Sequence, residues 1–366
     1  MAAQTQWTLI ISGGGSGGHL YPALAVAREL AARDAAPSKL ICLSTERAIE
    51  RQILQAQGIE QHSLPAIDSH ALRRHPIRSL WQLLKSVQTA QAILRSVPHP
   101  VVLGTGGFGS IPGALAAWLC RVPLLLLEQN VVPGRATTLL SRLASGICTS
   151  FEETKQALSA CDTVIHLTGN PVRAEIARPT LMHSDGLRRT LLILGGSQGA
   201  RSLNRAMLEF VQTHPGQLAG WKIVHQAGKQ EQPAVAAAYH ACGIPAQVQA
   251  FVEDLPELLR ETGLAITRAG GTSLAEFACA GIPALIVPFP RSLREHQRRN
   301  AQVFAQAGAA VMAEETAAEF QAEFSQQLLR LLVDDRQRET MCHAMRNLSH
   351  PDAAQKVADL ILQMHA

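Results

Sequence analysis

From Leu9 to Leu30 the chain reads LIISGGGSGGHLYPALAVAREL, and the three parts of this stretch decide the fold. Leu9–Ser12 is the short, β-branched apolar run of a buried strand. From Tyr21 onward Ala, Leu and Val recur at helical spacing. Between them stand five glycines, closed by His19. Glycines let the backbone turn sharply and leave bare N–H groups at the start of the helix. That end of a helix carries partial positive charge and favours an anion, typically a phosphate.

The same unit recurs along the chain. Strand-like runs TLIIS, KLICLS, PVVLGTG, VPLLLLEQN and GICTS fill the first half, and TLLILGG, KIVHQAG, AQVQAFV, LAITRAGG and PALIVPF the second, each followed by a helical pattern. Such alternation predicts parallel sheets covered by helices on both faces. LLILGGSQGARSLNRAM repeats the opening strand, glycine loop and helix, and LAITRAGGTSLAEFACAGIPALIVPFP echoes VVLGTGGFGSIPGALAAWLCRVPLLLLEQN. The repeat is imperfect, so it predicts two similar doubly wound domains and not a solenoid. Prolines and polar residues interrupt the pattern between Gly169 and Arg189, which divides the chain into residues 1–172 and 173–349. Two such domains facing one another make a cleft at the carboxyl ends of their strands, where ligands of these sheets bind.

Composition narrows the classes. At 366 residues the chain is long enough for two cores, and 47% of it is hydrophobic against 17% charged. A net charge of +4 is too small to argue for nucleic acid. Seven scattered cysteines without a C-x-x-C pair predict reduced thiols and no zinc site. The short polar start predicts no secretory leader, and no apolar run has the length of a membrane span.

The glycine loops differ in what they exclude. GGGSGGH lacks the Gly-Lys-Ser/Thr ending of a P-loop. It can be fitted to G-x-G-x-x-G, but Thr45 and Glu46 follow the second strand later than the acidic residue expected about 20 residues on, so a dehydrogenase is disfavoured. His19 is either a capping and packing residue or a base beside the bound anion. In the second half, Ser197, Gln198 and Gly199 open a helix whose free N–H groups suit a diphosphate. RAGGTSLAE supplies another helix start with Glu276 one turn in, a carboxylate placed either for the helix dipole or for ribose hydroxyls. Three such starts point to a diphosphate-bearing ligand. The segment from Leu72 to Arg95 mixes Arg73, Arg74, Arg78 and Lys85 with Leu80, Trp81, Leu83 and Leu84; it is either a packed amphipathic helix or an anchor for anionic lipid.

GGGSGGHLYPALAVA, GTGGFGSIPG, EQN, GNPVR, GGSQGARSLN, HQAG, FVEDL, TRAGGTSLAE, GIPALIVPFP and HQRRNA, in this order from Leu9 to Asn300, resemble the MurG glycosyltransferases. The resemblance implies the GT-B architecture of two Rossmann-like domains, with the final helix, residues 350–366, packing back on the first. It also implies transfer of N-acetylglucosamine from UDP-N-acetylglucosamine to the 4-hydroxyl of the muramyl sugar of lipid I, which gives lipid II for the cell wall. Ser16 (a threonine more usually), Gly17, Gly18, His19 and Asn130 then lie on the first-domain side of the cleft. Arg173, Ser197, Val252, Gly270, Gly271, Thr272, Ser273, Leu274, Ala275, Glu276 and Gln297 bind the donor. The implied division is uracil at the Val252 backbone, ribose at Glu276, diphosphate at Ser197 and the Gly270–Ala275 turn, and sugar hydroxyls near Gln297 and Asn130. The chain departs from the family pattern around PFPRSLREHQRRN, so His296 stands beside Gln297 as a sugar contact, with Gln297 preferred.

By the same resemblance the reaction is one inverting displacement. His19 is the first candidate for the base and Glu128 the second, because a carboxylate needs burial to act as a base near neutral pH. Gly104, Thr105, Gly106 and Gly107 of GTGGFGS hold the acceptor. Helix starts stabilise the leaving diphosphate, and the absence of any D-x-D pair fits a reaction that uses no metal or other cofactor. Arg73, Arg74, Arg78, Trp81, Leu84 and Lys85 become a contact with an anionic membrane. The expected location is the cytoplasmic face of the inner membrane, beside cell-wall synthesis or division proteins. The competing functions are a UDP-N-acetylglucosamine 2-epimerase and a non-catalytic nucleotide-sugar-binding protein.

Overall fold

The computed structural model describes residues 6–14, 17–45, 47–65, 74–177, 188–196, 199–290, 292 and 295–365. The chain forms two compact units, Met1–Arg173 with His350–Ala366, and Ala174–Ser349.

Unit 1 carries strands β1 (Thr8–Ser12), β2 (Lys39–Ser44), β3 (Glu60–Ser63), β4 (Pro100–Gly104), β5 (Leu124–Glu128), β6 (Gly146–Thr149) and β7 (Ile165–Leu167). Its helices before the crossover are α1 (Gly17–Ala31), α2 (Ala48–Ala56), α3 (Pro76–Ser96), α4 (Ile111–Cys120), α5 (Arg135–Leu140) and α6 (Glu152–Ala157). Among the described residues the sheet order is β3-β2-β1-β4-β5-β6-β7, parallel throughout. Side chains on a strand alternate between faces, and both faces of this sheet are covered. Leu9, Ile11, Leu103 and Leu125 meet Leu20 and Leu24 of α1 on one face. Ile10, Val102 and Leu126 meet Val87 and Ala90 of α3 and Ala114 of α4 on the other.

Unit 2 carries β8 (Thr190–Leu194), β9 (Lys222–Gln226), β10 (Ala246–Gln249), β11 (Thr262–Thr267), β12 (Ala284–Ile286) and β13 (Ala310–Met312). Its helices are α7 (Ala174–Ala177), α8 (Arg201–Thr213), α9 (Gln232–Ala241), α10 (Leu255–Glu261), α11 (Gly271–Ala280), α12 (His296–Gln306), α13 (Phe320–Val333) and α14 (Asp335–Asn347). The described strands run β10-β9-β8-β11-β12-β13, again all parallel. In each unit the order reverses beside the first strand, between β1 and β4 and between β8 and β11.

The last helix, α15 (Ala353–His365), belongs to unit 1 and packs on α1. Val357, Ala358 and Ile361 join the same apolar cluster as Leu20 and Leu24, and the His365 ring stacks on Trp7 at 4.9 Å. Three strands were not marked by apolar runs. EQHS (β3), IHL (β7) and AVM (β13) are short edge strands, and only one side of an edge strand is paired within its sheet.

Candidate functional site

Open parallel sheets bind ligands outside the carboxyl ends of the strands where the order reverses. In unit 1 that point lies between the loop leaving β1 at Gly13 and the loop leaving β4 at Thr105. The two loops touch. Gly13 has φ +142°, and a Cβ there would stand 2.0 Å from the Thr105 hydroxyl, so only glycine fits.

His19 sits in the first turn of α1, half-buried. Its Nδ1 lies 3.0 Å from the Thr105 carbonyl and 3.2 Å from Gln129 Oε1, while Gln129 Nε2 donates to the same carbonyl at 3.1 Å. Both partners of Nδ1 are acceptors, so Nδ1 is the donor, and in the neutral ring Nε2 is the nitrogen with the lone pair. A Cβ placed on Gly107 would be 3.7 Å from Nε2, so the lone pair sits against the GTGG turn. The Thr105 hydroxyl itself is buried without a partner among the described residues.

Glu128 ends β5 and is 3% exposed. One carboxyl oxygen accepts from the Asn130 backbone (3.1 Å) and side chain (3.2 Å), and the other accepts from the Gly134 N–H at 2.9 Å. These bonds staple the loop that presents Asn130. Below the first glycine loop, Glu50 of α2 is buried, accepts from the backbone and hydroxyl of Thr45, and lies against Gly14. Arg173 lies over the Tyr21 ring of α1 at 4.9 Å. Gly17 and Gly18 open α1; Ser16 falls outside the described residues.

In unit 2 the reversal lies between the loop after β8, Gly195–Ala200, and the approach to α11. The N-cap of α11 is Gly270, which brings no side chain, and the first turn holds no acidic residue. Glu276 lies one turn further and is 4% exposed. Thr272 is buried and Ser273 half-buried at the helix start; the Leu274 side chain is in the core, and its N–H donates to the Gly270 carbonyl at 3.0 Å.

This helix start is held from α12. Gln297 Oε1 accepts from the Ala269 N–H (3.3 Å) and the Phe289 N–H (2.9 Å), and Asn300 Nδ2 donates to the Ala269 carbonyl at 3.0 Å. Gln297 thus spends its oxygen on the backbone, and no acceptor among the described residues takes its amide nitrogen. Arg268, 11% exposed at its side chain, donates to the Val287 carbonyl (2.9 Å) and to Ser202 Oγ (2.7 Å), and pairs with Glu315 at 2.6 Å. It fastens the approach to α11 to the start of α8. Val252, 7% exposed, lies just before α10. Ser197 falls outside the described residues.

Sequence reasoning singled out neither Glu50 nor Arg268, and passed over Gln129 and Asn300 inside motifs it did quote. Gln129 adjoins Glu128 and Asn300 follows Gln297 by three, the spacing of one helix face; that periodicity was the available signal.

α3 carries the proposed membrane contact. Ile77, Leu80, Trp81 and Leu84 fall on one helical face and are 76%, 54%, 72% and 51% exposed, while Ser79 and Ser86 are buried. Arg74, Arg78 and Lys85 are exposed beside them, and Arg73 lies outside the described residues. The same helix packs its other face, with Val87, Ala90 and Leu94 buried, so its exposed apolar side chains are gathered in its first half. α4, which packs on α3, adds Trp118 and Leu119, both exposed. Among the described residues no helix is long and apolar enough to cross a membrane.

Residues 9–149 match the glycosyltransferase family 28 N-terminal domain and residues 190–357 the glycosyltransferase family 28 C-terminal domain. A Pseudomonas putida protein named UDP-N-acetylglucosamine–N-acetylmuramyl-(pentapeptide) pyrophosphoryl-undecaprenol N-acetylglucosamine transferase is 38% identical over 285 residues, 76% of either chain. The protein of the same name from Pseudomonas entomophila is 34% identical over 366 residues, 100% of this chain and 99% of its own. Among solved structures, Acinetobacter baumannii MurG superposes with a TM-score of 0.74 at 29% identity, covering 98% of this chain and 99% of that one. The UDP-GlcNAc 2-epimerase of Neisseria meningitidis, bound to UDP-GlcNAc, has a TM-score of 0.68 at 16% identity over 98% of this chain and 100% of its own, a likeness of fold alone.

Proposed function

The chain belongs to the MurG enzymes of glycosyltransferase family 28, and from this we infer that it moves N-acetylglucosamine from UDP-N-acetylglucosamine to lipid I, giving lipid II. It is a glycosyltransferase of peptidoglycan synthesis, with two Rossmann-like domains of the GT-B type.

The observation that carries the donor reading is the start of α11: a glycine cap, no acid in the first turn, and, just before the cap, Ala269 gripped at its N–H by Gln297 and at its carbonyl by Asn300. Fixed amides at a helix start suit a diphosphate, and they suit its growing charge as the glycosidic bond breaks. In this reading Gly270–Ala275 and Ser197 take the diphosphate, Glu276 the ribose hydroxyls, the Val252 backbone the uracil, and the Gln297 amide nitrogen a sugar hydroxyl. Asn130 and Arg173 complete the donor contacts, with Ser16, Gly17 and Gly18.

In unit 1, His19 suits the base. With Nδ1 committed to the Thr105 carbonyl and Gln129, Nε2 takes the proton of the acceptor 4-hydroxyl. That oxygen attacks the anomeric carbon, the bond from this carbon to the diphosphate oxygen breaks, and UDP leaves with the electron pair. Glu128, engaged by three N–H groups, serves better as the residue that positions Asn130 than as a base. Gly104–Gly107 are the acceptor-side turn.

For the membrane, Ile77, Leu80, Trp81 and Leu84, ringed by Arg74, Arg78 and Lys85, support peripheral binding to an anionic surface, the inner face of the plasma membrane. The deciding experiment is transfer of labelled sugar from UDP-N-acetylglucosamine to a short-chain lipid I analogue. Formation of the manno isomer without acceptor, or UDP binding without transfer, overturns the assignment.

A further inference from the structure

We propose that Gln226 is a positioning residue for the nucleotide, joining the turn offered to the diphosphate to the peptide offered to the base. The inference rests on the donor-site reading above. Gln226 ends β9 and is 4% exposed, a polar side chain with both ends used. Its Nε2 donates to the Gly196 carbonyl at 2.7 Å, and its Oε1 accepts from the Val252 N–H at 2.9 Å. Turning the amide over would set oxygen against carbonyl and NH2 against N–H, so the two partners fix its orientation.

Each partner is a piece of the donor site. The Gly196 carbonyl also accepts from the Gly199 N–H at 3.0 Å, which ties together the two described ends of the loop after β8. Gly199 has φ +75°, and a Cβ there would stand 2.3 Å from the Ala227 carbonyl oxygen, so the turn rests directly on the next peptide of the Gln226 strand. That peptide is held from below. Asn204 Nδ2 donates to the Ala227 carbonyl at 3.0 Å, which leaves Asn204 Oδ1 to accept from His225 Nε2 at 3.1 Å. His225 Nδ1 then accepts from the Tyr239 hydroxyl, also at 3.1 Å. Adjacent residues therefore work in opposite directions: His225 anchors the shelf, and Gln226 braces what stands on it.

Val252 is the second piece. Its N–H is taken by Gln226, and no donor among the described residues reaches its carbonyl. The peptide is held with its acceptor available, which suits a base carrying a ring N–H, as uracil does at N3. Base and diphosphate contacts are thus set at a fixed spacing by one amide.

The test uses the full-length enzyme with Gln226→Met, which removes both bonds at similar length, and Gln226→Glu, which keeps an acceptor for Val252 but loses the donor to Gly196. Two lost hydrogen bonds at about tenfold or less each predict a roughly ten- to thirtyfold rise in the Kd for UDP and in the KM for UDP-N-acetylglucosamine with Gln226→Met. The kcat stays within about twofold, since the bonds are made equally in ground and transition states. Gln226→Glu keeps the wild-type affinity for uridine within about twofold while losing affinity for UDP. Wild-type UDP affinity in both variants, or a fall in kcat at unchanged KM, overturns the proposal. So does a lower unfolding midpoint with UDP affinity intact in the folded protein, which would mark a purely structural role. A wild-type enzyme that does not bind UDP overturns the donor-site reading and this proposal with it.

Discussion

Acidification should weaken unit 2 through one side chain. His225 is fully buried, and burial holds its imidazole down at about 3, against an ordinary value of 6.5. Between those values the unfolded chain binds a proton there that the folded chain does not. Stability is therefore present above the unfolded value and is lost as the pH falls below it. From about pH 7.5 to about pH 5 the unfolded imidazole gains roughly 1.5 units of protonation advantage, or roughly 2 kcal/mol at 1.36 kcal/mol per unit. Trp221 is the tryptophan of unit 2, while Trp7, Trp81 and Trp118 belong to unit 1. Replacing the exposed Trp81 and Trp118 by Phe leaves Trp7 and Trp221 as separate reporters in urea unfolding. Compared with the same protein carrying His225→Gln, which has nothing to titrate at that site, the parent should lose about 2 kcal/mol more from its Trp221 transition. Equal losses in the two would mean that His225 does not exclude a proton in the native state, and the wiring of Tyr239, His225 and Asn204 would be wrong.

Three further outcomes are expected. His19→Gln should lower kcat for transfer by about 10²- to 10⁴-fold with little change in the Kd for UDP; near-wild-type turnover in the lipid II assay would remove His19 as the base. Glu128→Gln turns an NH2 toward a backbone or side-chain donor it now accepts from, and should cost unit 1 about 1–3 kcal/mol, read from the Trp7 unfolding transition; an unmoved transition contradicts the staple. Trp81→Ala combined with Arg78→Ala should reduce cosedimentation with anionic lipid vesicles by about tenfold or more, and vesicle binding indifferent to both changes would end the membrane-contact reading.

The strands at the centre of each sheet were legible because both faces are covered, so TLIIS and TLLIL are unbroken apolar runs. The glycine loops were legible for a related reason: they follow those strands at once. The edge strands were not, because the polar EQHS carries no periodic signal and is defined by its pairing with β2. Within the site, His19 and the α11 start could be picked from local pattern. What gives His19 its tautomer could not, since Thr105 and Gln129 are 86 and 110 residues away. Arg268 and Gln226 likewise bond groups of distant loops, and Glu50, which accepts from Thr45 five residues away, meets Gly14 only in the fold; no spacing rule within one segment encodes those meetings. The exposure of Trp81 also needed the fold, because a sequence periodicity marks a face but not which way it turns.

The return of α15 to unit 1 has a consequence during synthesis on the ribosome. Unit 2 is in effect an insertion, and all of Ala174–Ser349 is made before Val357, Ala358 and Ile361 exist. The second-made unit can therefore finish folding while the first still exposes the apolar side of α1, waiting for the chain's final turns. A nascent chain stalled short of these residues would present a greasy, half-roofed sheet to chaperones and proteases.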